Sequence, residues 1–257
     1  MTTPSSDPSV EGEPHLNPAA PSDSTSAAER PLGATTDGPI DVDHTVWDEP
    51  SLVAAGGGSI EAPEGQLTYE RWLARGVERF TSLESWTTTL LLALSAGPWG
   101  ILGALLSQSN NQLGFLGILS AAVLAPVTEE ITKIAGPLWV VEKRPYWFRS
   151  SLQIMLCAAA GGLAFAFIEN LIYLFVYHRE GGADFAAWRW IVCTALHLVC
   201  SLIAGVGLVR IWRRAMHTHT RPELAVGMPW FAAAMVVHGL YNFAVTIAAA
   251  GGWLTFD

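Results

Sequence analysis

The chain has 257 residues, of which 51% are hydrophobic and only 14% are charged, whereas about a quarter of the residues in a soluble domain are charged. Residues 1–80 carry 14 of the 23 acidic residues and 4 of the 14 basic ones, so an acidic N-terminal segment precedes a nearly neutral, apolar body. This composition excludes a nucleic-acid binder, which needs a basic surface, and a disulfide-stapled module, which needs more than three cysteines, and it leaves the class of multi-pass membrane proteins.

The N-terminal part of the chain divides into two predicted segments. Residues 1–66 are rich in proline, serine and aspartate and poor in large apolar side chains, so we expect an acidic, disordered tail. Over residues 67–82, apolar and charged side chains recur at helical spacing. This pattern predicts a short amphipathic helix that lies in the cytoplasmic interface ahead of the first span. Residues 83–257 then form the predicted transmembrane domain.

Five apolar runs in this domain are each long enough to cross a hydrocarbon core of ~30 Å as a helix. They are Trp86–Ser107, Leu113–Val141, Ser151–Tyr177, Trp188–Trp212 and Ala225–Ala250. The sequence therefore predicts an all-α fold, a polytopic membrane helix bundle with about five transmembrane helices. The second run is unusually long and contains Pro126 and Gly136-Pro137, which indicates a break or a re-entrant turn.

The charges between the runs predict the orientation of the chain in a cell membrane. Arginine and lysine concentrate before the first run and in the loops that follow the second and fourth runs. The positive-inside rule then places the N-terminus in the cytoplasm and the C-terminus outside. Arg189, near the outer end of the fourth run, is expected to anchor that end at the interface. Cys157, Cys193 and Cys200 lie inside the runs and are expected to be small packing groups.

Four of the five runs carry ionisable or strongly polar side chains at membrane depth, where each costs several kcal/mol unless it faces a protein interior. They are Glu129, Glu130 and Lys133 in the second run, Glu169 and Asn170 in the third, His197 in the fourth, and His238 and Asn242 in the fifth. Taken singly, each of these side chains is explained without a function, by hydrogen bonds between helices or by an ion pair within one helix. Their occurrence together on four helices favours a functional cluster.

The order of these residues resembles the PrsW family of intramembrane proteases. The matching motifs, in chain order, are EE-x-x-K from Glu129 to Lys133, F-x-x-x-E-N from Phe165 to Asn170, a single histidine at His197, and H-x-x-x-N from His238 to Asn242. The resemblance covers about residues 113–246. It implies cleavage of a membrane-anchored protein in the lipid bilayer, a single-span substrate such as an anti-sigma factor. The related CAAX prenyl endopeptidases differ, with an arginine one residue after the position of Lys133 and a histidine where Glu169 stands.

Two schemes of peptide hydrolysis are open to this set of side chains. In the first, Glu169, His197 and His238 bind zinc or another divalent metal, because two histidines and a carboxylate form a ligand set of zinc hydrolases. Glu129 or Glu130 then acts as general base, as the non-ligand glutamate does in H-E-x-x-H enzymes. In the second, no metal takes part, and a glutamate activates water directly with a histidine as its partner.

The two adjacent glutamates are expected to have different roles. Glu129 and Lys133 are four residues apart and can pair on one helix face, whereas Glu130 is rotated by about 100°. We therefore predict Glu129 as the base, kept ionised by Lys133, and Glu130 as a supporting or proton-donating group. Asn242 is predicted to stabilise the oxyanion in either scheme. Lys133, Asn170 and Phe165 are predicted to support the site.

A second class of function uses the same residues. Buried carboxylates and histidines also relay protons or bind ions in small transporters, and a membrane scaffold can contain them without catalysis. A scaffold would tolerate the replacement of Glu129 by glutamine, and a transporter would conduct or exchange without cleaving a protein.

Overall fold

The computed structural model of the protein describes residues 67–106 and 115–254, so the predicted tail, residues 1–66, lies outside the described residues. The regular elements of these two ranges are helices. The α-helices are α1 Tyr69–Arg79, α2 Ser82–Leu106, α3 Phe115–Leu119, α4 Ala125–Lys143, α5 Ser151–Ile172, α6 Ala183–Trp188, α7 Thr194–Thr218 and α8 Met228–Ala250. Three π-helical turns occur at the ends of these helices: Ser120–Leu124 between α3 and α4, Tyr173–Tyr177 after α5, and Arg189–Cys193 between α6 and α7.

Four helical segments among the described residues are long and apolar enough to cross a membrane. They are Ser82–Leu105, Ser151–Tyr177, Ala183–Thr218 and Met228–Ala250. The segment that corresponds to the second predicted run is less apolar because it carries Glu129, Glu130 and Lys133. Helix α4 contacts α2, α5, α7 and α8, and these three side chains are buried. The prediction of a polytopic helical bundle is confirmed.

The predicted break in the second run is a π turn. It spans Ser120–Leu124 and ends just before Pro126, and the helix then continues through Pro137 to the end of α4. A π turn pairs residue i with residue i+5, so Pro126, which has no N–H, cannot bond to the carbonyl of Ala121. Helix α8 approaches this turn closely at Gly239, where an added Cβ atom would clash with the carbonyl oxygen of Ala122.

Helix α1 is amphipathic as predicted, and protein covers the first part of its apolar face, whereas Val77 is exposed. Tyr69, Trp72 and Leu73 are buried, and the Trp72 ring packs edge-on against Tyr146, with 5.2 Å between the ring centroids. The guanidinium of Arg221 lies 5.5 Å from the Tyr69 ring centroid, and burial raises the pKa of Tyr69 to about 12. The buried part of this face therefore packs against the loop after α4, through Tyr146, and against Arg221 in the loop after α7. That the helix lies in the cytoplasmic interface stays a prediction.

The apolar core occupies the half of the bundle where α4 ends and α5 begins. Its largest buried members come from α5, α7, α8 and the loop before α5, and include Phe148, Ile154, Leu208, Ile211 and Phe231. Next to this core, α5 passes so close to α4 that an added Cβ atom at Gly161 would clash with the backbone oxygen of Lys133. This contact brings the polar residues of α4 against those of α5 and α7. The three cysteines are buried free thiols, as predicted.

Candidate active site

Lys133 lies at the centre of a buried polar cluster. Its Nζ atom is 2.7 Å from Oε1 of Glu130 and 2.7 Å from Nδ1 of His197, and 3.7 Å from Oε2 of Glu129. The predicted ion pair of Lys133 with Glu129 therefore exists, but Lys133 donates its hydrogen bond to Glu130. Both contacts are possible because side chains three and four residues apart are neighbours on a helix. An ammonium group only donates, so Nδ1 of His197 accepts and its Nε2 carries the ring hydrogen.

His238 connects the two adjacent glutamates. Its Nδ1 atom is 2.8 Å from Oε1 of Glu130, and its Nε2 atom is 3.6 Å from Oε2 of Glu129. Since Glu130 is ion-paired with Lys133, its carboxylate accepts the Nδ1–H of His238. The lone pair on Nε2 of His238 then faces Glu129. The ring of His197 stands at 88° to that of His238, with 5.0 Å between their centroids.

Glu169 pairs with Arg189 as well as with His197. Its Oε2 atom is 2.6 Å from Nη2 of Arg189 and 2.9 Å from Nε2 of His197, and Nε of Arg189 donates to Oδ1 of Asn170 at 3.0 Å. Arg189 is only 5% exposed. The expectation that it anchors the outer interface is wrong, because its charge is neutralised by Glu169 inside the bundle.

Two further predicted residues border this cluster. Phe165 is fully buried, with its ring centroid 5.1 Å from that of His197 and 4.4 Å from Nζ of Lys133. Asn242 donates from Nδ2 to the carbonyl of Ala121 at 3.1 Å. That bond uses one of the two N–H groups of the amide. Phe165 therefore packs against the charged network, and Asn242 is fixed by backbone of the π turn.

A cavity of about 950 Å³ opens onto one side of the cluster. Among the residues that line it are Glu129, Glu169, His197, His238 and Asn242. It extends past Tyr177 toward the loop before α6 and along the C-terminal end of α8. Glu130 and Lys133 are buried beside these residues and do not belong to the described lining. Of the two adjacent glutamates, Glu129 is therefore the one that meets the cavity.

Three side chains have the spacing of a metal site. Glu129, His197 and His238 are buried and offer donor atoms that all lie within 4.8 Å of one another. Two imidazoles and a carboxylate from three helices suit zinc and leave a fourth position for water. His238 is ready to bind through Nε2, with Nδ1 oriented by Glu130 as carboxylates orient the metal-bound histidines of many sites. His197 has to exchange one of its two hydrogen bonds, with Lys133 or with Glu169, to offer a lone pair.

The structure differs from the predicted ligand set in one member. Glu169 contacts His197, but it is hydrogen-bonded to Arg189 and is not part of the three-residue group. Sequence reasoning also missed the inward position of Arg189 and the carbonyl of Ala121, which accepts from the side chain of Asn242. The sequence contained a signal for each. Arg189 is a cation inside an apolar run, and Glu169 in the preceding run is a carboxylate that can neutralise it. Pro126 has no N–H, so a carbonyl about one turn earlier lacks its helical partner.

Comparison with protein families agrees with this arrangement. A family model described as PrsW family intramembrane metalloprotease matches residues 84–256, which is more than half of the chain. No curated protein and no solved structure gave a match. The matched range contains every polar residue of the cluster and the helices that carry them. The chain therefore belongs to the PrsW family and is an intramembrane protease.

Proposed function

We propose that the protein is an endopeptidase that hydrolyses a peptide bond of a membrane-anchored protein in the cavity, with Glu129 as the group that activates water. The observation that carries this proposal is the position of Glu129, which lines the cavity together with His197 and His238, 3.6 Å from Nε2 of His238. A general base must reach the water that attacks the substrate, and a cavity wall is where that water can bind.

The neighbouring residues fit the remaining steps of hydrolysis. In a reaction without a metal, Glu129 takes a proton from water, and the adjacent Nε2 of His238 accepts it and delivers it to the leaving amine. Glu130 holds His238 in the required tautomer through Nδ1. Asn242, which lines the same cavity, donates its second N–H to the oxyanion that forms at the scissile carbonyl.

The net charge of the cluster favours the binding of a proton or a metal cation. Two cationic side chains, Arg189 and Lys133, face three carboxylates, Glu129, Glu130 and Glu169, so the set carries one excess negative charge when all five are ionised. A proton on Glu129 during turnover or a metal ion beside it reduces that excess. For a metal-dependent reaction, we propose Glu129, His197 and His238 as the ligands of a divalent metal, such as zinc, which when bound would lower the pKa of its water and polarise the scissile carbonyl. Nε2 of His238 would then bind the metal, and the carboxylate of Glu129 itself would pass the proton to the leaving amine.

The geometry of the cavity supports a substrate that approaches from one side of the membrane. The cavity extends toward the loop before α6 and the end of α8, while α1 and the arginine-rich loops lie at the opposite ends of the helices. By the positive-inside rule, this opening faces the outside. We propose that the substrate is a single-span protein, such as an anti-sigma factor, cut in the segment that enters from that side.

The test is cleavage of a fluorescently labelled single-span protein in proteoliposomes that contain the purified enzyme. Glu129→Gln keeps the shape of the side chain, and we expect it to lower the turnover number by at least ~10²-fold. The matched control is Glu142→Gln, which changes a partly exposed glutamate near the end of the same helix and should leave cleavage unchanged. If wild type cuts and Glu129→Gln cuts equally fast, the proposed role of Glu129 is wrong. Ion flux without cleavage by the wild type would instead favour a transporter.

A further inference from the structure

Arg189 has an inward position that is unusual for its place in the chain. It is the first residue of the π turn Arg189–Cys193 and is 5% exposed, whereas the next residues, Trp190 and Ile191, are 38% and 69% exposed. π turns interrupt the regular rotation of an α-helix and are frequent at functional sites. Here the turn presents a cation to the bundle interior and apolar side chains to the lipid.

Three groups on one neighbouring segment hold the guanidinium of Arg189. Nη2 donates to Oε2 of Glu169 at 2.6 Å, and Nε donates to Oδ1 of Asn170 at 3.0 Å. The guanidinium carbon lies 4.0 Å from the ring centroid of Tyr173. Asn170 also donates from Nδ2 to the backbone carbonyl of Arg189 at 3.2 Å, and to Oγ1 of Thr194 at 3.1 Å. The arginine is therefore fixed in position relative to Glu169.

The same carboxylate oxygen of Glu169 that meets Arg189 also accepts from Nε2 of His197 at 2.9 Å. Lys133 donates to the other ring nitrogen of His197, so the hydrogen on Nε2 points at Glu169. Removal of Arg189 would leave Glu169 as a buried carboxylate without its cation, and such a group turns away or takes up a proton. Either change would remove the acceptor that sets the ring orientation of His197.

We infer that Arg189 is a positioning residue of the protease, which acts by holding Glu169 as the hydrogen-bond acceptor for Nε2–H of His197. This assignment rests on the proposed function of the cavity. It gives Glu169 the task of orienting a histidine, as second-layer carboxylates do at metal sites. It also explains why two adjacent residues, Glu169 and Asn170, both contact the same arginine.

The experiment combines kinetics with a direct reading of the histidine ring. The variants are Arg189→Met, Arg189→Lys, Glu169→Gln and the double variant Arg189→Met with Glu169→Gln. Turnover number and KM are measured on the single-span substrate in proteoliposomes, with thermal melts as a check of folding. The Nε2–H···Glu169 hydrogen bond of His197 is read from the ¹⁵N and ¹H chemical shifts of the Nε2–H group in histidine-labelled protein and assigned with His197→Gln. Arg213→Gln, which changes an exposed arginine bonded to Ser151, is the control.

We expect Arg189→Met to lower the turnover number about 10- to 100-fold, the usual effect of losing an orienting partner, with KM within about threefold of wild type. The ¹⁵N and ¹H shifts of the Nε2–H group of His197 should move to values typical of an imidazole N–H without a carboxylate acceptor, while Lys133 keeps the hydrogen on Nε2. Arg189→Lys should recover part of the rate, because an ammonium can still pair with Glu169. The double variant should lose less than the product of the two single losses, since no unpaired buried charge remains. If Arg189→Met does not fold, the double variant and Arg189→Lys can still be measured.

Two results would overturn this role for Arg189. One is a folded Arg189→Met variant with wild-type turnover and unchanged Nε2–H shifts of His197, and the other is a loss confined to KM, which would mean that Arg189 contacts the substrate. Failure of the proposed function looks different, because wild type and Arg213→Gln would then show no cleavage. In that case the Nε2–H shifts of His197 in Arg189→Met would still decide whether Arg189 positions this ring.

Discussion

The side-chain amide of Asn242 donates to the backbone carbonyl of Ala121 at 3.1 Å, which joins the last transmembrane helix to a π turn in the second. The carbonyl is available because Pro126 has no N–H to bond it. Pro126 thus leaves a carbonyl that holds the side chain of Asn242, which lies more than a hundred positions later in the chain and lines the cavity.

We expect Asn242→Ala to lower the turnover number by about 10²-fold, because removal of one oxyanion donor typically has an effect of this size. KM should change little, since the oxyanion exists only after attack on the carbonyl. The measurement is steady-state cleavage in proteoliposomes. Thr246→Val, which removes a hydroxyl bonded to the Asn242 backbone, tests whether loss of local helix structure alone produces the same decrease. An unchanged turnover number for Asn242→Ala would exclude the oxyanion role.

We expect Glu130 to contribute mainly to stability and Glu129 mainly to catalysis. Glu130→Gln breaks a buried ion pair with Lys133, and we expect it to destabilise the protein by ~3–5 kcal/mol. Its turnover, measured on the folded fraction, should fall less than that of Glu129→Gln. The double variant Glu130→Gln with Lys133→Met removes both charges and should recover much of the stability in a thermal melt. If Glu130→Gln is fully stable and inactive while Glu129→Gln cuts normally, the two roles are reversed.

Metal content should distinguish Glu129 from Glu169 as the third ligand. If Glu129, His197 and His238 bind the metal, purified Glu129→Gln should contain much less zinc than wild type. Glu169→Gln should retain most of it, although its turnover falls. Elemental analysis of both variants, with and without chelator, gives the answer. The opposite order of metal contents would restore Glu169 to the ligand set, and a metal-free wild type that remains active would favour direct activation of water by Glu129.

The N-terminal tail should be dispensable for catalysis, whereas α1 should not be dispensable for folding. Deletion of residues 1–66 removes a segment with too little apolar content to form part of a packed site, so cleavage should remain intact. Trp72→Ala should destabilise the protein by ~3–5 kcal/mol, because the indole is 3% exposed and packs against Tyr146. Thermal melts and cleavage assays check both. Loss of activity in a folded 67–257 protein would show that the tail takes part in the reaction.

Close packing of α8 on the π turn can be tested at a single glycine. A Cβ atom at Gly239 would meet the carbonyl oxygen of Ala122, whereas one at Gly97 would meet nothing within 4 Å. We expect Gly239→Ala to destabilise the protein by ~1–3 kcal/mol through overpacking. Gly97→Ala should be neutral or stabilising by up to ~1 kcal/mol, because alanine loses less entropy in a helix. Equal melting temperatures for the two variants would contradict the close approach.

Sequence alone determined the class of the protein and the content of its site. Hydrophobic run lengths predict spanning helices because a bilayer has a fixed thickness and each backbone polar group must be satisfied within the helix. Ionisable side chains at membrane depth mark a site because lipid exposure is so unfavourable for them. For this reason Glu129, Glu169, His197, His238 and Asn242 were identifiable before the helices were assembled, and all five line one cavity.

Only the tertiary structure decided which of these groups meet. Helical periodicity places Lys133 near both Glu129 and Glu130, but the choice of Glu130 depends on where His197 and His238 approach from other helices. The inward position of Arg189 depends likewise on a π turn and on a carboxylate twenty residues earlier in the chain. These contacts form between different helices, and the energy of two buried charges depends on the few ångströms that separate them. The lengths and positions of apolar runs in a sequence do not give those distances.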